Sequence, residues 1–465
     1  MMLGSAIKQE TIAAVATAVA PGEGGIAVIR VSGEFAEDVG RALLLVAGNQ
    51  IWESHRVLYG HVIDESGMER IDEVLLLFMK GPRSFTGEDV VEFHCHGGLI
   101  VVQRVLERVL AYPGVRRALP GEFTQRAVLN GRLDFTRAEA ISELISARSR
   151  RAAQLAMAGV DGGIQRLITS LRERLLDQLT ELEARVDFED DLPPLDRVEL
   201  LKELFDIQGE LQLLAKQADR GSLFRQGLRV AIIGRPNVGK SSLLNRLCRH
   251  ERAIVTDSPG TTRDLLETEI VLEGVPIILL DTAGIRKTKD QVEQLGIDRS
   301  YKALSGADVV LLLFDLTRGW TNDDQELLDL IPNGVPKLVV GNKADVHSSH
   351  SLVFASEDFH SIGSVVTLSA LTGQGEQSLI NKLLDTCGAT DTQGLVFALN
   401  ERQKDLAVDA ITALEQVKQV ASDELPWDFW TIDIRQAISS LGEITGEEIT
   451  EALLDRIFSR FCIGK

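Results

Sequence analysis

The stretch LRVAIIGRPNVGKSSLLNRL, residues 228–247, decides how the rest of the chain is read. LRVAIIG is a short apolar run closed by glycine, the mark of a buried strand. GRPNVGKS follows at once and fits G-x-x-x-x-G-K-[ST] with Gly234, Gly239, Lys240 and Ser241, in the strand–loop–helix setting the pattern requires. The glycines let backbone N–H groups turn inward and cradle phosphate oxygens at a helix N-terminus. Lys240 is expected to neutralise the β- and γ-phosphates, and the Ser241 hydroxyl to bind Mg2+.

The segments downstream settle the base. LLDTAG puts Asp281 at the end of a strand, where it can hold the Mg2+ shell, and Gly284 where a backbone N–H can meet the γ-phosphate. In VVGNKAD, Asp345 can accept from the N1–H and the 2-amino group of guanine. Adenine lacks that pair of donors, and the unpaired carboxylate disfavours it by ~1–3 kcal/mol or more. Asn342 and Lys343 would brace the ring, and SAL, residues 369–371, stands where such proteins place a backbone N–H on the guanine carbonyl. Four motifs in order define a GTP-binding domain. After DTAG, Ras-like proteins carry the glutamine that orients the attacking water, whereas Ile285 stands here. A hydrophobic side chain cannot orient water, so another residue or an ion must. Glu293, in QVEQLGI, reads either as that residue or as a solvated helix carboxylate.

Around this core the chain has 465 residues, enough for two to four domains, and its 44% hydrophobic and 25% charged content is ordinary for a soluble globular protein. The longest apolar runs, VLLLFM (74–79) and VVLLLF (309–314), are far too short to span a bilayer and read as buried strands. TIAAVATAVAP (11–21) faintly resembles a secretory segment, but with only Lys8 ahead of it the reading is a strand entering a loop. No stable membrane insertion is expected. Cys95, Cys248, Cys387 and Cys462 show no metal-type spacing and suit a reducing cytoplasm. A net charge of -20 makes a poor stand-alone binder of nucleic acid, so any RNA work calls for a partner with positive surface.

The expected fold class is multidomain, part α/β and part all-α. Residues 1–118 alternate strands, among them GIAVIRVSG, DEVLLLFMKG and EDVVEFHCHGG, with helical pieces FAEDVGRALLLVAG and LIVVQRVLERVLAY, giving an N-terminal α/β domain. Residues 119–221 turn helical: Ile164, Leu167, Ile168, Leu171, Leu175, Leu179, Leu182 and Val186 step by three and four until DFEDDLPP, and a second helix runs through Leu201, Leu204, Leu211 and Leu214 to Gly221. The G domain fills 222–387, and helical texture returns over 388–465, with Ala410, Ile411, Leu414 and Val417 in one helix and Ile449, Leu453 and Ile457 in the last. The arrangement predicts a Ras-like P-loop G domain inserted into a discontinuous helical bundle.

TDSPGTTRD (256–264), GRPNVGKS with Asn237, DTAGIR and VEQLGI, together with PGEGGIAVIRVSG, SFTGEDVVEFHCHGG, PGEFTQRAVLNGRLD and the terminal FCIGK, resemble the tRNA modification GTPases of the MnmE/TrmE family. The resemblance covers essentially the whole chain, and several of these motifs are peculiar to that family. It implies GTP hydrolysis activated by dimerisation of two G domains with K+ in the site, the ion supplying the charge that an arginine finger supplies elsewhere. On this resemblance Asn237 matches the side-chain potassium ligand, and Thr256, Ser258 and Thr261 fall at the other ligand positions. Thr262 matches the switch threonine on Mg2+ and Glu293 the catalytic glutamate, so Glu293, Lys240 and Thr262 are the expected catalytic set. The nucleotide would touch Asn237, Val238, Gly239, Lys240, Ser241 and Ser242, then Thr256, Asp257, Ser258, Pro259, Gly260, Thr261 and Thr262. It would also touch Asp281, Thr282, Ala283 and Gly284, then Asn342, Lys343, Ala344 and Asp345, and last Ser369, Ala370 and Leu371. SAL departs from the commoner SAR or SAK, but the contact is through backbone.

Arg30 lies between Ile29 and Val31, and Glu92 between Val91 and Phe93. Each alone reads as a strand edge facing solvent. Two such charges in one small domain suggest a ligand pocket instead, since buried charges are costly unless paired. The resemblance implies a reduced folate there, for which 5-formyl-tetrahydrofolate is the binding analogue, in a fold like that of folate-dependent aminomethyltransferases. Arg30, Glu92, Arg132 and Lys465 fall on the folate-contacting positions; Arg132 replaces a lysine of some members, keeping charge but not geometry. Glu92 would read the pterin edge. FCIGK would then be carried by the last helix to the folate domain of this chain or of a dimer partner, with Cys462 either near the one-carbon unit or a buried structural thiol. His94 and His96 share a strand face, as in some metal sites, but no third ligand is evident.

The resemblance as a whole implies a homodimer that forms a heterotetramer with the larger FAD-dependent GidA/MnmG protein. The pair would add an aminomethyl or carboxymethylaminomethyl group at C5 of the wobble uridine of certain tRNAs, with the methylene drawn from tetrahydrofolate and the tRNA held largely by the partner. One rival is a GTPase switch acting on RNA without modification chemistry. Such proteins usually append a basic domain, and residues 421–465 hold nine Asp/Glu against four Lys/Arg. The other, a folate-dependent methyltransferase acting alone, is disfavoured because no flavin or redox motif accompanies the first domain.

Overall fold

Between Ile26 and His96 the longer strands largely alternate buried and more exposed positions, as strands do when a sheet is fully covered on one face only, whereas Thr11–Ala14 are all buried. β1 (Thr11–Val15), β2 (Ile26–Ser32), β3 (Leu44–Val46), β4 (Val57–Ile63), β5 (Arg70–Met79), β6 (Val90–His96) and β7 (Val115–Arg117) form one sheet in the order β3-β4-β5-β6-β2-β1-β7. Helices α1 (Ala36–Leu43) and α2 (Leu99–Leu110) cover one face, burying Val39, Leu43, Val102, Val105 and Val109 with Ile29, Val31, Val91 and Phe93. FAEDVGRALLLVAG, helical in spacing, stops being helix at Leu43, because Leu44–Val46 pair with β4 as an edge strand. The computed structural model describes residues 10–20, 22, 24–187, 196–249, 267–281, 304, 306–346, 365–389, 396–423, 425–448, 451–459, 461 and 463–464.

The chain divides into two units, Met1–Ser142 with Gly442–Lys465, and Glu143–Leu441. The first continues past residue 118. The change of texture at Leu119 is a change of secondary structure and not of core: Phe123 of α3 (Glu122–Leu129) packs with Ile12, Ala14 and Ala118. Phe135 and Ala138, from α4 (Phe135–Ser146), pack with Phe458 of the last helix (Glu451–Phe458). The rings of Phe135 and Phe458 meet edge-on at 6.0 Å.

In the second unit α5 (Arg150–Val160), α6 (Gly163–Asp187) and α7 (Arg197–Gln226) precede a second sheet. α7 runs past Gly221 because Phe224, 1% exposed, joins the core beneath that sheet with Ala152 and Leu155. The sheet is β13-β12-β11-β8-β10-β9, built from β8 (Leu228–Gly234), β9 (Glu267–Leu272), β10 (Val275–Asp281), β11 (Val309–Asp315), β12 (Lys337–Asn342) and β13 (Val365–Thr367). All its pairings are parallel except β9 with β10. Every residue of β11 is buried, as expected of a strand covered on both faces. Around the sheet lie α8 (Lys240–Leu247), α9 (Asn322–Asp329) and α10 (Glu376–Thr386). Beyond it, α11 (Glu401–Ser422) returns to α7: Gln208 Nε2 donates to the Ile411 carbonyl at 3.3 Å, and Lys404 pairs with Asp219 at 2.5 Å. Among the described residues no helix is long and apolar enough to cross a membrane.

Candidate nucleotide and ligand sites

Because β8, β10, β11 and β12 run parallel, Gly234, Asp281, Asp315 and Asn342 close their strands along one edge of the sheet. That edge, outside the carboxyl ends of the strands, is where open α/β sheets take their ligands. After β8 the chain curls around Lys240, whose Nζ donates to the carbonyls of Gly234 at 2.7 Å and Arg235 at 2.9 Å. Gly239 has φ 101° and Asn237 φ 63°. Lys343 is also left-handed, at 68°. Non-glycine residues held in that region mark places where the surroundings dictate the backbone, and such strain gathers at functional sites. Asn237, Ser241 and Ser242 are exposed on the open side of the loop.

Asn342 joins the motifs. Its side chain is buried, donating from Nδ2 to the Val238 carbonyl at 2.8 Å and accepting at Oδ1 from Ala370 N at 2.9 Å. Lys343 pairs with Asp315 at 2.6 Å. Asp315 is 3% exposed; burial pushes its pKa up, but the Lys343 ammonium and the N–H and hydroxyl of Thr317 outweigh that and hold it below the ordinary carboxylate value. Ala344 N donates to the Leu368 carbonyl at 3.0 Å, Asp345 is exposed beside it, Ser369 is buried and Leu371 is exposed. Asp315 was not singled out in the sequence, although an acid closing the apolar run VVLLLFD has the same look as Asp281 in LLD. Residues 256–262, Thr282, Ala283, Gly284, Ile285 and Glu293 lie outside the described residues, so the structure bears on none of the readings that fall on them.

In the first unit, Arg30 and Glu92 face each other across β2 and β6. Arg30 Nε donates to Glu92 Oε1 at 2.8 Å and Nη1 to the Gly464 carbonyl at 3.3 Å. The guanidinium lies over the rings of Phe85 (5.4 Å) and Phe123 (5.7 Å). Glu92 Oε2 is 3.5 Å from His94 Nε2. Both charges are mostly buried and paired, so the solvent-edge reading of these two positions does not apply. Arg132 is exposed just beyond α3 and makes no hydrogen bond or ion pair with either among the described residues. Cys462 and Lys465 lie outside the described residues.

His96 Nδ1 is bonded to Asp72 Oδ1 at 2.7 Å, which raises its pKa. Among the described residues no group of three or more His, Cys, Asp or Glu side chains could hold a metal ion. Burial pushes the Cys95 thiol up to about 11.

Residues 11–132 match the family model "GTP-binding protein TrmE N-terminus", and residues 135–462 match "MnmE helical domain". The chain is 71% identical, over all of both chains, to the tRNA modification GTPase MnmE of Prochlorococcus marinus (strain MIT 9303). It is 67% identical to the protein of that name from Synechococcus sp. (strain CC9311), covering 98% of each. Among solved structures, Aquifex aeolicus Era is similar over 40% of this chain and 66% of its own, at 29% identity and a TM-score of 0.30. Matched by both family models and end to end by relatives of this identity, the chain belongs to the tRNA modification GTPase MnmE family.

Proposed function

We propose that the chain hydrolyses GTP in the service of tRNA modification, with 222–387 as its G domain. The observation that carries the reading is the Asn342 amide, which ties the loop after β8 to residues 369–371 and so makes the phosphate and base ends of one nucleotide site a single unit. Lys240 and the first turn of α8 would meet the phosphates, and the exposed Asp345 would take the guanine edge. Mg2+, supplying charge neutralisation at the phosphates, would be held by Ser241 and Thr262. K+ would be held by Asn237, Thr256, Ser258 and Thr261, with Glu293 orienting water in place of the glutamine that Ile285 replaces. The exposed, left-handed Asn237 supports its share of this. GTP turnover measured in KCl and in NaCl tests it: faster turnover in KCl is expected, and equal rates would remove the potassium role.

The domain reading continues from this. The first unit, begun by residues 1–118 and extended to Ser142 and by Gly442–Lys465, would bind tetrahydrofolate and dimerise, and the helices of the second unit on both sides of 222–387 would form the helical domain around the inserted G domain. Packing of α7 on α11, on either side of the second sheet, and one helical family model reaching from 135 to 462 support the insertion. Dimerisation is supported by Leu45, Val57, Tyr59 and Leu75, exposed together on the face of the first sheet that carries Arg30, since an apolar face of that kind calls for a cover. The Arg30–Glu92 pair with the Gly464 carbonyl beside it supports the folate pocket and a role there for Cys462 and Lys465. With an FAD-dependent GidA/MnmG partner the dimer would modify C5 of wobble uridine in the cytoplasm. The charge of -20 favours a tRNA held mainly by that partner. Calorimetric titration with 5-formyl-tetrahydrofolate, on the full chain and on one lacking residues 462–465, tests the pocket. Weaker binding after truncation supports it, and no binding to the intact chain overturns it.

A further inference from the structure

Between β13 and α10 the chain closes a loop on itself. Gly373 N donates to the Ser369 carbonyl at 2.8 Å, Ser369 N to the Gln374 carbonyl at 2.8 Å, and Thr372 N to Ser369 Oγ at 3.1 Å. These bonds fix the shape of the loop but not its place against the rest of the site. One tie that sets its place is Ala370 N to Asn342 Oδ1. A second comes from α8, the helix that begins at Lys240. Arg246, in its last turn, donates from Nε to Glu376 Oε2 at 2.8 Å, and Glu376 opens α10 directly after the loop. The Nη2 end of the guanidinium also rests against the loop: a Cβ built on Gly373 would sit 1.8 Å from Arg246 Nη2 and 2.5 Å from Cζ. Gly373 has φ 89°, so both its backbone and its lack of a side chain are needed for the contact. Arg246 and Glu376 are 23% and 17% exposed, and a charge-assisted bond there is screened less than one in open solvent.

We infer that Arg246 is a positioning residue for guanine recognition. From the phosphate-binding helix it fixes the loop in which residues 369–371 would offer a backbone N–H to the 6-oxo group of the base. The inference rests on the GTP-binding reading. It gives the phosphate and base ends two links, through Asn342 at the loop after β8 and through Arg246 at the far end of α8. A lysine could keep the charge but not meet Glu376 and Gly373 at once as Nε and Nη2 do, so it restores the function only in part.

The test is calorimetry on the full chain with GDP, IDP and inorganic pyrophosphate, each with Mg2+. GDP and IDP share the 6-oxo group, and pyrophosphate reports on the phosphate loop alone. Arg246→Met should weaken GDP and IDP alike by about tenfold, the scale of one good hydrogen bond, and pyrophosphate by less than about twofold. Arg246→Lys should fall between. Gly373→Ala keeps the Arg246 side chain but pushes its guanidinium off the loop, and should reproduce the loss that is specific to the base. A parallel loss of pyrophosphate affinity, or unchanged GDP affinity in folded Arg246→Met, overturns the inference. Failure of the unaltered chain to bind GDP would overturn the GTP-binding reading and this inference with it.

Discussion

Replacing Asp324 by asparagine tests whether the phosphate loop is anchored from α9. Asp324 is fully buried, with one oxygen accepting from Arg235 Nε at 2.8 Å and the other from Thr321 N at 3.0 Å and Thr321 Oγ1 at 2.8 Å. Arg235 is 17% exposed, and its Nη2 is buried without a hydrogen-bond partner among the described residues, so the guanidinium depends on this carboxylate. Asparagine has the same shape but only one acceptor. Turned one way, its NH2 meets the guanidinium; turned the other, it meets the Thr321 N–H. A hydrogen bond to a charged group is worth about 1.5–3 kcal/mol. Removing one partner of a buried ion pair costs about 3–5 kcal/mol, and since Arg235 keeps some access to water the expected cost is near the bottom of that range, about 3 kcal/mol. At roughly 2–4 °C per kcal/mol for a unit of about 150–250 residues, Tm should fall by roughly 6–12 °C in calorimetry of the full chain. Because the Arg235 carbonyl is one of the two that hold Lys240, GDP affinity should fall as well. Arg235→Met combined with Asp324→Asn should cost less than the two singles together, by about 0.5–3 kcal/mol. A fall of less than about 2 °C for Asp324→Asn, on the same scale of a few degrees per kcal/mol, or strict additivity in the pair, refutes the anchoring.

Phe458→Ala removes a ring that is 1% exposed and packed edge-on against Phe135; a loss of about 3–5 kcal/mol is expected, read by denaturant unfolding, and a loss under about 1 kcal/mol would mean the last helix is not held this way. Asp72→Asn should bring the NMR-measured pKa of His96 down towards its ordinary value, because the Asp72 carboxylate is what raises it. A folded pKa above the unfolded one stabilises most below about pH 6.5, and that contribution fades as pH rises through the folded value, so the stability gap between the two proteins should shrink in alkali. Cys95, buried with its thiol pushed up to about 11, should resist alkylation at pH 8 in the native chain and react once the chain is unfolded; prompt native labelling would contradict its burial.

The proposed nucleotide site is legible wherever a role would sit at a fixed offset along the chain. Lys240, Asn342 and Asp345 are found by spacing, because the strand-to-loop geometry that uses them is local. Asp315, Asp324 and Arg246 were not found, and each works through a partner distant in sequence: Lys343 lies 28 residues from Asp315, Arg235 lies 89 from Asp324, and Glu376 lies 130 from Arg246. Periodicity cannot report such pairs, since an acid or arginine in a helix usually faces solvent. The first unit shows the same limit at the level of fold. Four of its seven strands were legible as short apolar runs, but β4 and β7 were not singled out and β3 was read as helix; the change of texture at Leu119 coincides with no change of core, because Phe123 and Phe135 belong with the sheet and the last helix. Trp427–Thr445 escaped the reading although Trp430, Ile434, Ala437, Leu441 and Ile444 step by three and four, the ordinary sign of a buried helix face.

The Arg30 cluster carries the folate reading one step further. Gly464 has φ 93°, and a Cβ on it would lie 2.3 Å from the Val15 carbonyl, so the end of the chain rests against the first strand at a point no other residue fits. Its own carbonyl accepts from Arg30, which also holds Glu92. A pterin edge that offers two donors needs both oxygens of a carboxylate, and here Oε1 is taken by Arg30 while Oε2 faces His94. Each oxygen can accept a second hydrogen bond, so on the folate reading Glu92 can take the ligand while Oε1 still accepts from Arg30. Arg30, braced on its other side by the Gly464 carbonyl, would hold the Glu92 carboxylate in place for the ligand. Ligand binding at Glu92 and docking of the terminus are then coupled through one side chain, which is why shortening the chain by a few residues should weaken a ligand held mainly from the sheet.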